Sequence, residues 1–353
     1  MRTGISIYFG SGIAVSERVI ARAAQAGVDY AFTSMHIPEE DGAALAGDAR
    51  HLLGMLREAG IGAIVDVGPE TCAKLGCESL EGLADLGVTH LRLDYGFTAA
   101  ETASLARTFH VVCNASTVTK ADIASWRAAG ADLARFTACH NYYPKPGTGL
   151  DLEEVRRMND LLSTQGVEVL GFVPGDGALR GPLHEGLPTI EEHRARRTEI
   201  ARNMLELGIS GGCDGVLVGD VDLTASGWEA LSQVAVGYVD IRCRLEEGYR
   251  HLFGQVHHDR PDSSTLLFRS QESRAALRPE APVAPDAGAG RARRRGSISI
   301  ANTGYLRYEG EIEIARADLD GDERQNVIGQ VIPEDLELVD LARRGFGLRF
   351  RAE

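Results

Sequence analysis

Asp66, Asp94 and Asp220 stand at the ends of short apolar runs, in "AIVDVG", "LRLDYG" and "VLVGD", and Glu185 sits in the irregular loop "RGPLHEG" that follows another such run. Comparable positions hold Tyr8, Ser34, His36, Glu39, Asn114, His140, Asn141, Tyr142 and Arg180. Several carboxylates around one mouth suit glycoside hydrolysis, in which a protonated acid releases the leaving oxygen and an ionised partner acts as base, nucleophile or orienting group. The same set suits a divalent cation. His36 and His140 are the natural additional ligands, yet no HxH or HExxH spacing accompanies them, so substrate hydrogen bonding or core structure is expected, with no metal and no cofactor. Neither a nucleophilic serine with a paired histidine nor a Gly-rich phosphate cradle is present.

Each candidate also has a purely structural reading. Alternation in "LRLDYGF" places Arg92 and Asp94 on one face, so Asp94 either faces the interior as a reactive group or pairs with Arg92. Asp66 has the same placement, or caps the helix that follows. The tyrosines of "NYYPKPGTGL" either stack against a sugar ring or pack a rigid loop. Thr189 and Glu192 spell a T-x-x-E capping box, which accounts for the end of the loop but not for Arg180 or Glu185 within it. Arg180 has the fork to grip a carboxylate or phosphate.

Positioning such a rim requires a scaffold, and the chain supplies a recurrent one. To about residue 235, eight short apolar runs alternate with helical patterns, most ending in Gly. Nearly uniform apolar strands separated by helices predict a parallel sheet covered on all sides, and eight such units predict a closed (β/α)₈ TIM barrel, class α/β. Its active site belongs at the C-terminal ends of the strands. Beyond it, "YVDIRCRL", "STLLFRS", "GSISIAN", "RYEGEIEIA" and "NVIGQVI" predict a small antiparallel β-barrel, giving a catalytic domain over 1–236 and a β domain over 237–353. The stretch "RPEAPVAPDAGAGRARRR" reads as a mobile loop whose Arg291, Arg293, Arg294 and Arg295 either hold a phosphate or stay solvated.

A net charge of −14 over 353 residues argues against nucleic acid or an anionic membrane as partner and favours a small molecule. No signal-like or membrane-length apolar run occurs, so the expected location is the cytoplasm. The six cysteines lack CxxC spacing and read as packing thiols.

The segments "GISIYFG", "FTSMHIPEED", "LRLDYGF", "CNAST", "HNYYPKPGTGL", "FVPGDGALRGPLHEGLPTIEEHR" and "GVLVGD", followed by "RGSISIAN" and "YLRYEGEIEIA", together resemble the bacterial 6-phospho-N-acetylmuramidase family from Gly4 to about Phe350. Departures occur in "YFGSG" and "GRARRRGS". The resemblance implies a TIM barrel with a cyclophilin-like β domain. It also implies hydrolysis of the β-1,4 bond between N-acetylmuramic acid 6-phosphate and N-acetylglucosamine during peptidoglycan recycling. Asp94 and Glu185 fall on its motif acids, with Glu39, Asp66 and Asp220 beside them. From their placement Glu185 is assigned as general acid and Asp94 as the ionised partner, with Asp220 a further catalytic candidate. A homodimer in which one chain's β domain completes the other's site is a further expectation. The competing readings are a phosphosugar isomerase or aldolase using Lys145, and a non-catalytic sugar-phosphate-binding protein.

Overall fold

The computed structural model describes residues 1–34, 42–68, 71–72, 77–93, 96–277 and 279–353, with only the backbone of 42–46. Two compact units divide the chain, Met1–Ala235 and Val236–Glu353.

In the first unit, β1 (Arg2–Ile7), β2 (Tyr30–Ser34), β3 (Gly62–Val67), β4 (Val88–Leu93), β5 (His110–Asn114), β6 (Phe136–Cys139), β7 (Glu168–Val173) and β8 (Gly215–Val218) close into a parallel barrel in chain order. The helices between them are α1 (Ile13–Ala26), α2 (Gly42–Glu58), α3 (Ala99–Leu105), α4 (Lys120–Ala128), α5 (Leu152–Ser163), α6 (Glu191–Ala195), α7 (Ile200–Leu205) and α8 (Ala225–Ala235). Local sequence starts several of them: Thr98 with Glu101 and Thr119 with Asp122 form capping boxes, and the Asp151 side chain accepts the Glu154 amide. Gly27, at φ 72°, ends α1 in the left-handed region that an L side chain resists.

The inward faces explain why the site lies at one end. Phe32, Ile64, Val112, Cys139, Leu170, Phe172 and Leu217 belong to one buried apolar cluster. Two residues further along their strands, the same face carries Ser34, Asp66 and Asn114, because side chains alternate with period two. Parallel register then sets Ser34 beside Asp66 and Asp66 beside Arg92. An apolar plug therefore underlies a polar rim, and truncating Phe172 to Ala removes about 3–5 kcal/mol of the support.

The segment from Thr189 to Gly208 does not run as a continuous helix: α6 and α7 are separate, and Glu206–Ser210 continues as a π turn. Nor does the capping box form; Ile190 occupies the N-cap, while the buried Thr189 hydroxyl donates to the Asn141 carbonyl and accepts the Phe172 amide, both at 2.9 Å. Burial made tertiary partners available that outcompeted the local pattern.

The second unit is a seven-stranded sheet built from β9 (Tyr238–Leu245), β10 (Val256–His258), β11 (Leu267–Arg269), β12 (Ser297–Ala301), β13 (Ile312–Ala315), β14 (Gln325–Val331) and β15 (Gly347–Ala352), with α9 (Leu336–Leu341). Its order is β10-β15-β9-β14-β12-β13-β11. The sheet is mixed rather than antiparallel: β15 returns parallel to β9, pairing Phe350 with Ile241. The arginine-rich stretch is tied down rather than mobile. Arg291, Arg293, Arg294 and Arg295 pair with Glu246, Glu313, Asp318 and Asp340 respectively, and Arg293 bridges to Leu319 through the backbone. Only Arg293 is committed in a buried pair, with Glu313; the pairs of Arg291, Arg294 and Arg295 are exposed. Among the described residues no helix is long and apolar enough to cross a membrane.

Candidate active site

A cavity of 150 Å³ opens at the C-terminal end of the barrel, lined by Phe32, Asp66, Arg92, His140, Asn141, Tyr142 and Phe172. Its apolar wall is an aromatic trio. Tyr142 meets Phe32 and Phe172 edge-on with ring centroids 6.0 and 5.2 Å apart, an arrangement favoured by the ring quadrupoles.

Facing the aromatics is a charged network. Arg92 donates to Asp66 Oδ1 at 2.8 Å and to Asn141 Oδ1 at 2.7 Å. The Ser34 hydroxyl donates to Asp66 Oδ2 at 3.3 Å, and Asn114 donates to Asn141 Oδ1 at 3.2 Å. Strands β2, β3, β4 and β5 and the start of the β6 loop each contribute one member. Asp66 and Arg92 are buried, so their charges are compensated by each other and by amide dipoles rather than by bulk water.

Arg180 arrives from the β7 loop. Its guanidinium lies over the Tyr8 ring, 4.2 Å from the centroid, and donates to the Tyr142 hydroxyl at 3.1 Å. Tyr8 itself is buried, and its hydroxyl donates to the Gly219 carbonyl at 2.5 Å. Burial pushes the Tyr8 and Tyr142 phenols up, so both act as neutral hydrogen-bonding groups near neutral pH.

Asp220 sits beneath that loop. Its carboxylate, 1% exposed, accepts the backbone amides of Gly175, Arg180 and Leu187 at 2.8, 3.0 and 3.1 Å. Burial pushes this carboxyl up while the three amides pull the other way. Oriented toward main-chain donors on both sides of the loop, it holds the loop's path.

His140 is fully buried, held between Ser116 Oγ at 3.1 Å and Asn159 Oδ1 at 2.7 Å. Because Asn159 donates its amide to the Gly211 carbonyl, its oxygen faces Nε2, which assigns the proton to that nitrogen. Burial lowers its pKa to about 4, keeping the ring neutral. It braces Asn141, whose amide reaches Ser116 Oγ at 3.4 Å.

Tyr8, Ser34, Asp66, Asn114, Asn141, Tyr142 and Arg180 are therefore gathered at the mouth. Glu185 is exposed on the β7 loop, and among the described residues nothing hydrogen-bonds its carboxylate. Asp94, His36 and Glu39 lie outside the described residues. In the sequence Arg92 reads only as a partner for Asp94; its spacing in "LRLD", on the interior face of β4, is the signal for a place at the cavity. Arg194, which binds the Glu185 and Gly186 carbonyls at 3.1 and 2.8 Å, had no signal beyond an ordinary helical E-x-x-R pair. Among the described residues no group of three or more His, Cys, Asp or Glu side chains is arranged to hold a metal ion.

The N-terminal model of the 6-phospho-N-acetylmuramidase family matches residues 3–233 and its C-terminal model matches residues 238–351. The chain belongs to this family. An Enterococcus faecalis conserved protein of unknown function is similar over 100% of this chain and 97% of its own, at 30% identity and a TM-score of 0.73. An uncharacterized B. cereus protein is similar over 99% of both chains at 22% identity and a TM-score of 0.72, which speaks to fold alone. No curated protein matches the chain. A family named for a glycosidase, a TIM barrel and a rim of acids, tyrosines and one stacked arginine form a consistent set.

Proposed function

We propose that this protein hydrolyses the β-1,4 bond of N-acetylmuramic acid 6-phosphate linked to N-acetylglucosamine, in the cytoplasm, as part of peptidoglycan recycling. The observation that carries the reading is that both halves of the chain match one family named for this activity. The mouth chemistry supports it. Tyr142, Phe32 and Phe172 offer an apolar wall for the C–H face of a sugar, while Asp66, Asn114 and Asn141 offer polar atoms for its hydroxyl and amide groups.

The substrate is anionic through its phosphate and its lactyl carboxylate, so an acidic protein must capture it locally. Arg180 uses one nitrogen on Tyr142 and its face on Tyr8, leaving the rest of the guanidinium fork to meet one of those anions. Glu185, exposed on the β7 loop, is proposed as the general acid that protonates the leaving oxygen. Asp94 is proposed as its ionised partner. The sugar's own 2-acetamido oxygen offers an alternative nucleophile, for which that carboxylate need only orient the group. Asp220, a catalytic candidate from sequence, is proposed instead as a positioning residue, given its three backbone donors. The aldolase reading gains nothing from Lys145, which is exposed and so lacks the desolvation that activates a Schiff-base lysine.

The test is incubation with the phosphorylated disaccharide and its unphosphorylated counterpart, followed by mass spectrometry. Release of N-acetylglucosamine from the phosphorylated form is expected, and release from neither rejects the reading. Glu185→Gln, at an exposed position, should fold normally and lower kcat/KM by ~10²–10⁴-fold.

A further inference from the structure

We infer that Glu191 and Arg194 form a clip joining the β6 loop to the β7 loop, and that Arg194 is a positioning residue for Glu185; the second half rests on the hydrolase reading. Both residues lie on the single short turn of α6, three positions apart. An i,i+3 ion pair on a helix is normally a surface feature contributing little. Here the Arg194 side chain is 11% exposed and its donors serve four groups. Nε and Nη2 meet the Glu191 carboxylate at 2.7 and 3.0 Å. Nη1 meets the Glu185 and Gly186 carbonyls, and Nη2 also meets the Tyr143 carbonyl at 2.8 Å. One guanidinium thus holds main-chain oxygens of both loops.

Glu191 completes the connection from the other side. Its two oxygens accept the amides of Gly147 and Gly149 at 2.9 and 2.8 Å. A side chain at position 149 would place its Cβ 2.7 Å from Glu191 Oε2 and 2.9 Å from Glu191 Cα, so glycine is required for the approach. Arg194 above all, then the two glycine amides, holds this carboxyl down at about 2. Backbone bonds run alongside: Tyr143 donates to Pro188, Leu150 to Thr189, and Glu191 to Leu150. The two loops are therefore laced together along their length, with the charged pair at the point nearest Glu185.

The Glu185 backbone is fixed from both flanks. His184 adopts φ 54°, where a non-glycine residue is disfavoured, and Gly186 adopts φ 82°. With the Glu185 and Gly186 carbonyls both on Arg194, rotation at this point of the loop has nowhere to go without breaking a charge-assisted bond. The cavity-lining Asn141 and Tyr142, just before Tyr143, and the acid at 185 are thereby held in one geometry by a residue bonded to the main chain of both loops.

The experiment is hydrogen exchange followed by mass spectrometry on wild type, Arg194→Lys, Glu191→Gln and the double variant, with Arg157→Ala as an exposed control. Lysine keeps the charge but loses the fork. Each single variant should raise exchange roughly tenfold in both 143–150 and 180–187, since charge-assisted bonds at the opening step are lost. In the double variant the effects should fall well short of additive, as for two ends of one interaction. Exchange rising in one loop alone, full additivity, or no change overturns the clip. On the phosphorylated disaccharide, Arg194→Lys should lower kcat at least tenfold with KM changed less than threefold, as expected when geometry rather than binding is lost. An equal loss in both variants through KM overturns the positioning role. A wild type without hydrolysis rejects the hydrolase reading and that role together, while exchange still decides the clip.

Discussion

Each unit of the molecule contains a buried arginine–aspartate pair, and the two are used differently. In the second unit Arg316 and Asp259 are each 1% exposed and 3.3 Å apart. Arg316 also binds the carbonyls of Ser264, Leu267, Val339 and Ala342, so it acts as a staple for three chain segments. In the barrel Arg92 and Asp66 are 2.8 Å apart with side chains 7% and 12% exposed, and both line a cavity. The same chemistry makes a sealed joint in one place and a polar wall in the other. What separates them is whether the far side of the pair is filled by main chain or left open to a space that a ligand can enter.

That contrast can be broken most forcefully by removing each cation. Arg316→Met strands Asp259 in a dry interior and should lower unfolding stability by about 3–5 kcal/mol in denaturant melts. Arg92→Met takes the cation from Asp66, which keeps the Ser34 hydroxyl and borders a polar cavity with room for water, so its stability cost should be nearer about 1–2 kcal/mol, with KM for the disaccharide raised roughly tenfold or more. Equal stability losses would mean that the two pairs do not differ in their access to water.

Titration sharpens it next. His140 in the barrel and His257 in the sheet are both held near a pKa of about 4 by burial, below the ordinary value of 6.5. Because the unfolded chain takes up these protons first, each histidine's contribution to stability is complete above pH 6.5 and is lost as pH falls toward about 4. Nitrogen NMR at pH 5.5 should still find both rings neutral. His140, with both nitrogens bonded, should show a single Nε2–H tautomer, whereas His257, whose Nε2 has no partner among the described residues, is tied among them through Ser270 at 3.0 Å.

The smallest effects should come from exposed pairs, one in each unit. Arg157→Ala, which breaks a bond to Glu154, and Arg294→Ala, which breaks one to Asp318, should each leave the denaturant midpoint where it is in the wild type. A larger loss at Arg294 would show that the arginine-rich stretch is held more tightly than its exposed charges suggest.

The barrel was legible because its signal is distributed: eight apolar runs with helical sequence between them must repeat, and no single residue decides it. The position of the rim followed from the fold. Elements decided by few residues were harder to see. β10 spans only Val256–His258, and β15 carries Arg349 and Arg351 among its apolar positions, so neither stood out from loop sequence. The parallel return of β15 onto β9 is a tertiary choice that local pattern does not encode. Within the mouth, the placement of Asp66 and Arg180 is legible because one ends a strand and the other lies in an unusual loop. The work of Asp220 was not visible, because its partners are backbone amides, identical at every residue. Thr189 misled for a related reason: a capping motif was present, but two buried main-chain groups made a better claim on its hydroxyl.

Asp220 grips the β7 loop by its main chain rather than by its side chains. The loop's shape is therefore largely independent of which residues it displays, apart from the positions needing glycine. Substitutions at Leu183, which is exposed, or at other outward positions can alter what the mouth selects while the frame stays intact. Such an arrangement makes the loop a ready place for substrate preference to drift among relatives, and for an engineer to change it without rebuilding the barrel.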